Sequence, residues 1–141
     1  MKRLIAAVAA TAVLAVPTTA GAGFSTSADA TKGAPMAVNF TAIKQGGKPI
    51  GVDDFRVRRL PITCTEGDAR LKFNLNVPGS GYFPVNNRNR FRAVGDSANN
   101  SAKITGKFVT KNKVRGKVKA EGDFPADGLT NCIGKKGFTA G

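Results

Sequence analysis

Beyond residue 36, apolar and polar positions alternate with a period of two over most of the chain. Leu71, Phe73, Leu75 and Val77 alternate with Arg70, Lys72, Asn74 and Asn76, the pattern of a strand buried on one face and solvated on the other. Pro78-Gly79-Ser80-Gly81 ends it. Upstream, Val38 and Phe40 alternate with Asn39 and Thr41, a turn follows at 44–48, and Phe55 and Val57 open another strand. Leu60, Ile62 and Cys64 have the opposite parity, so one extra residue at Arg58-Arg59, a β-bulge, brings both apolar sets onto one face. Pro61 fits an edge or bulge position, and Thr65-Glu66-Gly67-Asp68 turns the chain.

Lys103 to Ala120 reads as a hairpin with one apolar and one basic face. Ile104, Gly106, Phe108 and Thr110 share a side with Val114, Gly116, Val118 and Ala120; Lys103, Lys107, Lys113, Arg115, Lys117 and Lys119 take the other. A three-residue loop, Lys111-Asn112-Lys113, keeps these faces matched, pairing Thr110 with Val114 and Phe108 with Gly116. Before it, Phe91 and Ala93 face one way and Arg88, Arg90 and Arg92 the other, a second basic stripe. After it, Gly122, Pro125 and Gly128 punctuate a turn-rich stretch leading to Cys132, and Gly134-Lys135-Lys136-Gly137 reads as the turn of a last short pair closed by Phe138 and Ala140. No helical spacing breaks this series. About eight short strands with turn signals between them predict an antiparallel β-sandwich or small barrel over residues 37–141.

The N-terminus has a different character. Residues 1–22 combine basic Lys2 and Arg3, an apolar run from Leu4 to Val16 and a small-residue site at Ala20-Gly21-Ala22, the three parts of a secretory signal. The apolar run falls short of the roughly 20 residues that a membrane-spanning helix needs, so no transmembrane anchor is expected. Residues 23–36 are small and polar and read as a flexible leader. Export changes the meaning of Cys64 and Cys132: in an oxidising compartment they are expected to pair, closing a loop of about 69 residues. The expected location is extracellular, including the cell wall.

Charge narrows the partner. The formal net charge is +13, of which Lys2 and Arg3 contribute two, and an excess of this size points to anionic polymers or surfaces, or to an acidic protein. The basic stripes, Lys103, Lys107, Lys113, Arg115, Lys117 and Lys119 with Arg88, Arg90 and Arg92, are the candidate binding residues. Phe73, Phe91 and Phe108 lie opposite these stripes rather than among them, which argues against sequence-specific nucleic-acid recognition by base stacking. With no histidine and both cysteines paired, catalysis, metal binding and a cofactor are not expected. The acidic residues Asp53, Asp54, Glu66, Asp68, Glu121, Asp123 and Asp127 stand in turn contexts, without the spacing of a calcium loop. A second reading is a protein-binding module, of inhibitor or adhesion type, acting through loops such as Gly79 to Asn89 with Tyr82 and Phe83 at its tip.

The alanine-rich export signal, the cysteine after Leu60-Pro61-Ile62-Thr63, the Gly106-Lys107-Phe108 and Arg115-Gly116-Lys117-Val118 strand pair, and the end from Asn131 to Gly141 together resemble a group of small secreted actinobacterial all-β proteins of uncharacterised function. That resemblance covers residues 37–141. It implies fold and compartment and carries no ligand or catalytic residue. Where that group often has a tryptophan after the second cysteine, this chain has Phe138.

Overall fold

The computed structural model describes residues 23–29 and 34–141; the export signal expected over 1–22, and with it the anchor question, lies outside the described residues. Nine strands form one antiparallel sheet: β1 Gly23–Ala28, β2 Ala37–Gln45, β3 Lys48–Cys64, β4 Gly67–Asn76, β5 Phe83–Pro84, β6 Arg90–Asp96, β7 Asn100–Thr110, β8 Lys113–Phe124 and β9 Leu129–Ala140. Their hydrogen-bonded order is β1-β4-β3-β9-β8-β7-β6, with β2 and β5 also paired to β3. The sheet curls into a half-barrel. Its two end strands approach at Gly95 of β6, where an added Cβ would lie 2.6 Å from Leu75 Cδ1 and 2.8 Å from Phe24 Cδ1.

The alternation seen in the sequence becomes the lining of this curl. Leu71, Phe73 and Leu75 are buried while Lys72, Asn74 and Asn76 are exposed. Phe40, Phe55, Phe91 and Phe108 form an aromatic centre with ring centroids 5.6 to 6.5 Å apart, the tilted and edge-on geometry that ring quadrupoles favour. The expected bulge is present: the β3–β4 register slips between Val57 and Leu60, Arg59 adopts φ 60°, and Val57 and Leu60 are both fully buried. Asp29 fastens it. Its Oδ2 accepts the Arg59 N–H at 3.2 Å and lies 3.4 Å from Arg58 Nε, supplying an acceptor for a backbone donor at the irregularity.

Four local expectations are corrected. Gly23–Ala28, placed in a flexible leader, is a strand paired with β4 from Gly23↔Asn76 to Ala28↔Leu71. Its pairing rests on backbone groups and on Phe24, which meets Phe73 edge-on at 5.8 Å, so no apolar period marks it. The β7–β8 hairpin has a two-residue turn, with Thr110 opposite Lys113, Phe108 opposite Val114 and a bulge between Phe108 and Thr110. The pairing differs by two positions from the expected one, so each side chain keeps its face.

Gly134 to Gly137 is no turn: β9 runs through it. Gly134 is a close-approach residue, since an added Cβ would meet Pro61 O and come within 2.6 Å of Ile62 Cγ2. Pro61, expected at an edge or bulge, lies just past the bulge in the interior strand β3, flanked by β4 and β9.

Cys64 and Cys132 form the disulfide, both buried. It links the end of β3 to the start of β9, beside the register pair Ile133↔Thr63 that joins these strands. Closing a chain loop with a sequence separation of 68 stabilises the fold by about 4 kcal/mol in the chain-entropy model.

Candidate anion-binding face

The outward positions of β6, β7, β8 and β9 gather most of the predicted cations. The register places Arg90 opposite Lys107 and Lys107 opposite Arg115; on the next rung Arg92 lies opposite Thr105 and Thr105 opposite Lys117; beyond that Lys103 lies opposite Lys119 and Lys119 opposite Lys135. Neighbouring strands stand about 4.8 Å apart and successive outward residues about 7 Å, so these charges form a close two-dimensional array. Lys103 and Lys119 are partly exposed and the others exposed. Among the described residues, the one ion pair of this face is Lys119 Nζ to Glu121 Oε1 at 3.3 Å.

Two predicted residues stand apart. Arg88 lies in the turn before β6, where Asn86 Oδ1 accepts the N–H groups of Arg88 and Arg90 at 2.9 and 3.0 Å; it marks a corner of the face. Lys113 opens β8 beside the two-residue turn, opposite Thr110. Lys135 joins the array unforeseen, because the turn reading of Gly134 to Gly137 removed it from any strand. At the far end, Asp96 lies opposite Ser101 and Ser101 opposite Glu121, so the acidic side chains stand at one margin.

The aromatics turn inward: Phe91 and Phe108 are buried, and the large apolar side chains exposed among the described residues are Val109 and Ile133. The face therefore offers charge and hydrogen-bond donors, without rings for bases or sugars to stack on. Nor does the Gly79 to Asn89 loop display its aromatic tip. Phe83 is buried, and the Tyr82 ring covers Gly51, where an added Cβ would overlap it.

The carboxylates serve local structure. Asp53 Oδ1 accepts the Val77 N–H at 2.8 Å, Asp68 Oδ1 the Thr63 hydroxyl at 3.1 Å, Asp123 Oδ1 the Asn131 N–H at 2.8 Å and Asp127 Oδ2 the Ala28 N–H at 3.1 Å. Glu66 accepts both the N–H and the hydroxyl of Thr130, at 2.8 and 2.7 Å. These bonds, the hydroxyl one foremost, hold its carboxyl below the ordinary glutamate value. Among the described residues no three His, Cys, Asp or Glu side chains converge as metal ligands.

No protein-family model, curated protein or solved structure matches the chain.

Proposed function

We propose that the chain is a secreted, non-catalytic β module that holds an anionic polymer or surface, in the cell envelope or the extracellular space, against the outer face of β6 to β9. The observation that carries this reading is the pairing of like charges: Arg90 with Lys107, Lys107 with Arg115, Lys103 with Lys119 and Lys119 with Lys135. Like charges directly opposite one another destabilise a sheet, and among the described residues the one carboxylate paired with these cations is Glu121, beside Lys119. A polyanion laid across the rungs converts that repulsion into attraction. The disulfide fits an oxidising compartment, and the inward phenylalanines favour a ligand read by charge density rather than by base or ring contacts.

The test is retention on a heparin-type resin, eluted with salt. If about six phosphate-like groups are neutralised, log K falls against log salt with a slope near five. Replacing Lys107, Arg115, Lys117 and Lys119 by Glu is expected to abolish retention while leaving the fold intact, since three of these side chains are exposed and the fourth is partly so. Unchanged retention by that variant rules this face out as the site.

A further inference from the structure

A second basic surface lies on the other half of the sheet and has a different composition. The outward positions of β1, β4, β3 and β2 line a groove of about 470 Å³, within the roughly 300 to 1,000 Å³ of small-molecule sites. Its central row runs across four strands: Ser25 opposite Asn74, Asn74 opposite Arg56, and Arg56 opposite Asn39. Beside it Ser27 lies opposite Lys72. We infer that this groove is a separate binding site for a single acidic sugar residue, one carrying a carboxylate or a phosphate.

The alternation of cations with neutral amides and hydroxyls carries the inference. On the β6 to β9 face, two of the three rungs set cation opposite cation and the third interposes Thr105, which suits a line of negative charge. Here Asn39 and Asn74 each present a donor and an acceptor in one plane, and Ser25 and Ser27 add hydroxyls that do both. Such groups match a ligand whose neighbouring hydroxyls also donate and accept. The charge to be met is that of Lys72, which makes no ion pair among the described residues. Arg56 adds to it, since its contact with Asp54 is long, at 3.4 Å, with the guanidinium side chain 64% exposed. Arg58 contributes less, because Asp29 already faces it. Among the described residues the aromatic in the lining, Phe73, is buried, so the groove offers its ligand mainly polar edges.

The test is a ¹⁵N NMR titration of the folded protein with glucuronate and with glucose 6-phosphate, with glucose and inorganic phosphate as separate controls. Saturable shifts are expected at the amides of Ser25, Ser27, Lys72 and Asn74 with at least one of the two sugar acids, and the tighter one identifies the acid group. Glucose or phosphate alone should bind about tenfold more weakly, the loss of one charge-assisted hydrogen bond or its equivalent. Lys72→Met and Asn74→Ala, both exposed outward positions, should each weaken the sugar acid by a similar factor. The inference is overturned if no saturable shift occurs, if phosphate alone binds as tightly as the sugar acids, or if the shifts fall on residues 103–119 instead. Those outcomes leave the β6 to β9 face to be judged by its own resin test.

Discussion

At the scale of single residues, the fold depends on places where a side chain is missing. Gly106 lies opposite Gly116 in the centre of the β7–β8 ladder, and rings from the flanking strands occupy the room. An added Cβ at Gly106 would lie 2.5 Å from Phe91 Cζ, and one at Gly116 would lie 2.9 Å from Phe138 Cε1 and also meet Thr105 O. A ring can yield, but a backbone carbonyl in a sheet cannot. Gly116→Ala is therefore expected to destabilise the protein by about 1 to 3 kcal/mol, the usual range for overpacking, read as a lower urea midpoint with an unchanged slope. A midpoint equal to wild type would show that β8 shifts freely at this position. The sequence reading set Phe108 over Gly116, but the register pairs Phe108 with Val114 and glycine with glycine. Which ring covers which glycine was not legible, because it depends on β6 and β9 lying beside the hairpin.

At the scale of elements, Glu66 ties the β3–β4 turn to the start of β9 through Thr130, next to the disulfide. Because these bonds favour the charged carboxylate, its folded pKa lies below the unfolded one. Its contribution is then fully present above the unfolded value, near about 4.3 for a free glutamate side chain, and is lost as pH falls through the lower folded value. The wild type should therefore exceed Glu66→Gln in stability at pH 6, and the gap should close as the pH falls through the lowered folded value. Parallel stability curves for the two proteins from pH 6 to pH 2 would remove Glu66 from the acid response. The elements themselves were legible where apolar residues recur, as in β4 from Leu71 to Leu75 or at the Arg58-Arg59 bulge. They were hidden where pairing rests on backbone groups and a single ring, as in β1, or where close approach demands glycine, as at Gly134. The second case also concealed Lys135. The groove of β1 to β4 was beyond reach for a related reason: Ser25, Asn39, Arg56 and Asn74 share a row only once four strands have paired.

At the scale of the molecule, the positive charge is spread over outward faces whose cations stand close together, so the native state works against its own repulsion at low ionic strength. Raising salt from about 0.01 M to 0.15 M shortens the screening length from about 30 Å to 8 Å, and the melting temperature should rise over that interval. A flat or falling curve would mean that the rungs of Lys103, Lys119 and Lys135 do not strain the fold. The two basic surfaces belong to different halves of the sheet, and the halves meet where Thr63 pairs with Ile133 and Cys64 bonds to Cys132. At that junction the strand pairing is reinforced by a covalent bond, while inside the curl the halves also pack through Phe40 and Phe55 against Phe91 and Phe108. A pull applied to the two halves in opposite directions loads a covalent bond as well as the β3–β9 hydrogen bonds, so the cystine limits how far this seam can open.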